Sequence, residues 1–227
     1  MKKFGAWLGV VAVVILIAPA RAGAAPAFAS ANAAEALQRL LDGNQRYVAG
    51  RAIRPNQTAG RRATVAGGQH PFAAILGCSD SRVPPEIVFD QGLGDLFVVR
   101  LAGNVADPVA LDSLDYAVTH LGTRLILVLG HERCGAVTAA VEGYGERGDV
   151  GPMLAELRPA VAASKALPGD PVANAIRANV ELTVENLRTS KPLSAMVASG
   201  QLKIVGGIYH LATGKVEMLP ATASVTH

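Results

Sequence analysis

The stretch "CSDSRVPPE", residues 78–86, sets a thiol, a carboxylate and a guanidinium at alternate positions: Cys78, Asp80 and Arg82. The chain has one other cysteine, Cys134, which follows His131 in "GHERCGAV". Three readings compete for the two thiols: a disulfide, two unrelated buried cysteines, or a metal site that gathers Cys78 and Cys134 with a third ligand. His131-x-x-Cys134 places an imidazole and a thiolate on one tight turn. Zn2+ takes a Cys2His set readily, and three protein ligands with an exchangeable fourth position are the pattern of a catalytic zinc. Asp80 is close enough to Cys78 in sequence to become a fourth ligand, or to accept a hydrogen bond from hydroxide at the metal. Arg82 can hold Asp80 through its planar fork. Taken alone, Asp-x-Arg is an exposed ion pair worth little.

Compartment bears on the choice. The chain opens with two lysines, an uncharged apolar run over residues 4–18, and small residues offering Ala-x-Ala sites that end at Ala22, Ala24 and Ala29. This is the layout of a secretory signal peptide. The expected organisation is a leader over 1–24 and a single domain over 25–227, periplasmic or secreted. An oxidising compartment keeps the disulfide reading open. Losing Lys2, Lys3 and Arg21 and no acid takes the formal charge from +3 to zero. No basic tract or aromatic–basic interleaving points to nucleic acid. No later apolar segment is long enough for stable membrane insertion, which needs about 20 residues.

The elements that must position these side chains follow from hydrophobic runs. "FAAILG" (72–77), "LFVVRL" (96–101), "RLILVLGH" (124–131) and "LKIVGGIYHL" (202–211) are short, mostly apolar runs with turn residues near their ends. Such runs suit strands buried on both faces of a parallel sheet. "TGKVEMLPA" reads as a hairpin return that adds an edge strand. Helical patterns lie between them. One begins with Asp107 as N-cap and Pro108 at the first helical position and closes at Gly122, and another spans 171–190. A helix over 33–50, with Ala36, Leu37, Leu40 and Leu41 on one face, either packs on the sheet or embraces a second subunit. The expected fold is α/β, a mostly parallel four-stranded sheet flanked by helices with a C-terminal edge strand.

Cys78 then falls directly after one strand, and His131 with Cys134 directly after another. Ligands of open parallel sheets bind at the carboxyl ends of the strands. The shared edge does not by itself exclude a disulfide; the third ligand, His131, favours metal. A helix starting at Cys134 would also favour thiolate there.

The combined pattern, "CSDSRVPPEIVFDQGLGDLFVVRLAGN" followed by "GHERCGAV", closely resembles the β-carbonic anhydrases. The likeness runs from "EALQRLLDGNQRYVAG" to "GGIYHLATGKVEML". The resemblance implies Zn2+ held by Cys78, His131 and Cys134, reversible hydration of CO2 to bicarbonate, and Asp80 with Arg82 as the catalytic dyad. It also implies that Asp80 can itself ligate zinc in a closed, inactive form and pairs with Arg82 in the open one. Gln69 matches a glutamine near substrate, and Phe97 and Tyr116 match aromatic pocket residues, the tyrosine coming from the neighbouring subunit. Read without the motif, these three are a loop amide and two core rings. A homodimer is the implied minimum, with higher homo-oligomers open.

Relatives with an accessory bicarbonate pocket carry a tryptophan three residues before the first zinc cysteine, where this chain has Ile75. The accessory pocket is therefore expected to be missing, with Arg100 in a structural ion pair. Among the histidines, His70 is nearest the site in sequence as a proton shuttle. Two alternatives remain: a zinc hydrolase of CS2 or COS on the same fold, and a disulfide-stapled binding protein without catalysis.

Overall fold

The computed structural model describes Met1 and residues 32–144 and 151–220. Apart from Met1, the expected leader lies outside the described residues. Five strands form one sheet: β1 (Ala73–Gly77), β2 (Leu96–Arg100), β3 (Leu125–His131), β4 (Lys203–Tyr209) and β5 (Val216–Met218). Their spatial order is β2-β1-β3-β4-β5, the first four parallel and β5 antiparallel to β4. This is the expected parallel sheet with its C-terminal edge strand. The chain leaves β1 for β2 on one side and returns to β3 on the other. Between β1 and β3 lies the switch point where such sheets open a crevice at their carboxyl ends.

The apolar runs are explained by helices on both faces. Ala73, Ile75, Leu125, Leu127 and Leu129 pack on one side with α1 (Ala33–Val48) and α3 (Pro85–Val88). Ala74, Leu76, Ile126 and Val128 point to the other. There they meet α4 (Pro108–Thr119), α5 (Gly135–Val141), α6 (Gly151–Ser164) and α7 (Pro171–Thr189). Short helices α2 (Ala59–Val65) and α8 (Leu193–Ala198) complete the set. β1 and β3 are buried throughout, whereas every residue of β2 is only partly buried because that strand forms the sheet edge. The expectation of burial on both faces thus holds only in part for β2, whose Phe97 and Val99 pack on one cluster and Leu96 on the other.

Caps set the helices. Asn32 accepts from Ala34 N and Glu35 N at 3.0 and 2.9 Å while Glu35 accepts from Asn32 N, a capping box at the start of α1. α1 buries Ala36 and Leu40, with Leu37 partly covered against the sheet. Asp107 caps α4 through Ala110 N at 2.8 Å ahead of Pro108. α7 lies so close to β3 that a Cβ on Gly130 would come within 2.6 Å of the Val180 side chain. That approach places the middle of α7 beside the strand whose last residue is His131.

Candidate metal centre

Cys78 is the first residue beyond β1, and His131 is the last of β3. Arg133, in the left-handed region at φ 52°, turns the chain so that Cys134 becomes the N-cap of α5. The three side chains are buried, and their ligand atoms all lie within 4.8 Å of one another. Cys78 Sγ and Cys134 Sγ are 3.9 Å apart and not bonded to each other. Two Zn–S bonds of ~2.3 Å at a tetrahedral angle would set sulfurs about 3.8 Å apart. A disulfide would need about 2.05 Å.

The imidazole is prepared in the same way. His131 Nδ1 lies 2.8 Å from the Glu132 carbonyl, which can only accept, so the ring proton belongs on Nδ1 and Nε2 keeps its lone pair. Nε2 is buried and has no hydrogen-bond partner among the described residues. A buried acceptor left bare is costly, and a cation at Nε2 removes that cost.

The sulfurs point the same way. Hydrogen bonding from Cys134 pulls the Cys78 thiol down to about 4 against its burial, helped by the backbone N–H groups of Asp80 and Gly103. The Cys78 contact, followed by burial, pushes Cys134 up. The helix start expected to favour thiolate at Cys134 gives its side chain no cap hydrogen bond. By itself the protein stabilises one negative charge on the sulfur pair; a dication allows the second proton to leave. The donor set, the bare Nε2 and the sulfur separation all fit Zn2+.

Asp80 stands beside this cluster. Its Oδ1 accepts from Arg82 Nε at 2.9 Å and its Oδ2 from Arg82 Nη2 at 2.7 Å, while Arg82 N also donates to Oδ1 at 2.9 Å. The guanidinium, which outweighs the cost of burial, holds the carboxyl well below the usual carboxylate range. Asp80 Oδ2 is 3.8 Å from His131 Nε2 and does not belong to the mutually close donor group. The structure therefore has Asp80 paired with Arg82.

Arg100, expected in an ion pair, binds two backbone carbonyls instead: Nε to Cys78 O at 2.8 Å and Nη2 to Asp80 O at 2.7 Å. Its fork fastens the segment that carries both Cys78 and Asp80. A role of this kind leaves no mark in spacing or residue type.

The residues expected to line the pocket are brought together in part. Phe97 of β2 and Tyr116 of α4 have ring centroids 6.3 Å apart at 45° on one chain, and Tyr116 also tilts onto His120 at 5.1 Å. Tyr116 is exposed, as is Gln69 in the loop before β1. Among the described residues, none of the three hydrogen-bonds to Cys78, Asp80, His131 or Cys134.

The carbonic anhydrase family model matches residues 73–216, which run from β1 to β5 and contain the whole cluster. The chain belongs to the β-carbonic anhydrase family. It is 44% identical over 189 residues to carbonic anhydrase 2 of Mycobacterium tuberculosis, covering 81% of this chain and 91% of that one. The β-carbonic anhydrase of Coccomyxa, solved in complex with acetazolamide, superposes with a TM-score of 0.64 at 31% identity, over 81% of this chain and 86% of that one. A tetrameric β-carbonic anhydrase of Sordaria macrospora gives a TM-score of 0.64 at 25% identity, over 82% and 98%.

Proposed function

We propose that this protein catalyses the reversible hydration of CO2 to bicarbonate and a proton, with Zn2+ held by Cys78, His131 and Cys134. The observation that carries the reading is the buried cluster of two sulfurs and a bare Nε2 at the β1/β3 switch point, with the Asp80–Arg82 pair against it. When bound, zinc lowers the pKa of a water toward neutrality and so supplies hydroxide as nucleophile.

The chain's own residues account for the rest. Asp80, held ionised by Arg82, can only accept a hydrogen bond. It therefore takes the O–H of the nucleophile and leaves an oxygen lone pair free to face the CO2 carbon. Arg82 keeps Asp80 from taking the exchangeable ligand position. Cys78 and Cys134, as thiolates, would offset the charge of the dication they hold and so leave the site little net charge toward an anionic product. Gln69, Phe97 and Tyr116 are assigned to the substrate pocket, with the amide for a CO2 oxygen and the rings as apolar wall. Because Phe97 and Tyr116 adjoin on one chain, a partner that offers one to a site offers both.

The tetrameric relative supports a homodimer or larger homo-oligomer. Export by the N-terminal leader to the periplasm or exterior is the proposed location. The test is stopped-flow CO2 hydration by the zinc-loaded full chain, with COS and CS2 as competing substrates. Rapid hydration is expected. A zinc-replete protein that released hydrogen sulfide from COS but left CO2 at the uncatalysed rate would overturn the assignment.

A further inference from the structure

Cys78 Sγ accepts a hydrogen bond from inside the chain. The Gly103 N–H reaches it at 3.3 Å from a 3-10 turn, Ala102–Asn104, that directly follows β2. Gly103 and Asn104 are both in the left-handed region, at φ 73° and 46°. A side chain at Gly103 would also crowd Leu157 of α6, whose methyl groups lie 3.1 and 3.2 Å from a Cβ built there. Successive left-handed residues cost on the order of 1–2 kcal/mol each unless glycine occupies them, so the surrounding structure must specify such a turn.

What specifies it comes from far along the chain. Asn179, on the buried face of α7 among Ala175, Ile176, Val180 and Val184, donates through Nδ2 to the Gly103 carbonyl at 2.7 Å. The side chain is 4% exposed. A buried amide among aliphatic residues is unfavourable without its hydrogen bond, and this one is spent on the turn that faces the sulfur.

We propose that Asn179 is a positioning residue for the metal centre: by fixing the Gly103 carbonyl it holds the Gly103 N–H on Cys78 Sγ, and so sets the donor strength of that one sulfur. An N–H bond to a thiolate draws charge from it. The metal then receives less electron density and polarises a fourth ligand more strongly. Cys134, although it is the N-cap of α5, takes no such side-chain bond from its own helix, so the Gly103 N–H acts on one sulfur of the two.

The inference rests on the metal reading, and cobalt-substituted full-length protein separates the two. Cobalt(II) in this site has a thiolate-to-metal charge-transfer band whose energy reports sulfur donor strength. In Asn179→Leu, which keeps bulk and removes the donor, the band is expected to move to longer wavelength at unchanged cobalt content. CO2 hydration by the zinc form should fall on the order of 10–100-fold. Thr183→Val, a polar-to-apolar change on the same buried face of α7, should leave the band in place. In wild-type zinc protein, the Gly103 amide proton should be shifted downfield and protected from exchange, a readout that needs no variant to fold. An unmoved band in Asn179→Leu, or an unprotected Gly103 amide, overturns the inference alone. A wild-type protein that takes up no cobalt overturns the metal reading and this inference with it.

Discussion

The carboxylate of Asp80 is bound at both oxygens by Arg82, at 2.9 and 2.7 Å, and the oxygen 2.7 Å from Arg82 is 3.8 Å from His131 Nε2. The guanidinium thus holds the carboxylate beside the imidazole but outside the close group of Cys78, His131 and Cys134.

Removing the guanidinium should let the carboxylate move inward. Arg82→Ala is expected to keep its zinc and its fold, since Arg82 is exposed, but to lose CO2 hydration by a factor on the order of 10²–10⁴. Zinc X-ray absorption should show a carboxylate oxygen as fourth ligand in place of water. Near-normal turnover by this variant would make the pair structural only.

Metal removal tests the ligand set. The purified protein is expected to carry one zinc per chain, and Cys78→Ser or His131→Ala to lose it, as read by elemental analysis. Chelation should expose both thiols to titration. Zinc added back at about 100 times its dissociation constant should restore about 2.7 kcal/mol of stability. A metal-free, folded sample with a Cys78–Cys134 disulfide would contradict the ligand set.

Most of the sheet is legible in the sequence because its strands are short apolar runs, and helices on both faces demand that composition. β2 carries the same signal, but the run cannot say that its strand lies at the edge. α6 is hidden by Pro159 within it, and α2 and α3 are too short for a periodic pattern. At the site, Cys78, His131 and Cys134 declare themselves by residue type and strand-end position. Arg100 and Asn179 do not: both act by donating to backbone carbonyls, and Asn179 reaches across 76 residues to do so. Gln69, Phe97 and Tyr116 are reachable only through family resemblance, since a loop amide and two aromatic rings are unremarkable by type.

His210 offers a pH signature away from the metal. Its Nδ1 is 2.7 Å from Glu132 and its Nε2 3.2 Å from Glu217, which Arg177 also holds at 3.1 Å. Glu132 first, and then Glu217 against some burial, raise the His210 pKa. A raised folded-state value means the stabilisation is complete below the unfolded histidine value of about 6.5 and disappears as pH rises through the folded one. Thermal midpoints of wild type and His210→Gln should therefore differ most at slightly acidic pH and converge above neutrality. A gap that widened toward alkaline pH would reverse the sign and remove His210 as its source. The site is partly exposed, so the gap should shrink with added salt.

Regulation by product is the last consequence, and it turns on Arg100. Ile75 is fully buried within β1, in the layer packed by α1 and α3, and supplies no indole to wall an anion. The Nε and Nη2 donors of Arg100 are engaged by the Cys78 and Asp80 carbonyls. For bicarbonate to act as an effector it would have to bind two states with different affinity. Here it would have to draw Arg100 from the contacts that hold the Cys78–Asp80 segment in place. Bicarbonate is therefore expected to inhibit hyperbolically, as a product, with a Hill coefficient near one. Arg100→Met should destabilise the protein by roughly 1–3 kcal/mol through its unpaired carbonyls and lower turnover without changing the shape of the bicarbonate curve. Initial rates against bicarbonate at fixed pH and ionic strength decide the matter. A steep sigmoidal loss in wild type that Arg100→Met abolished would establish a second anion site at this arginine and refute the argument.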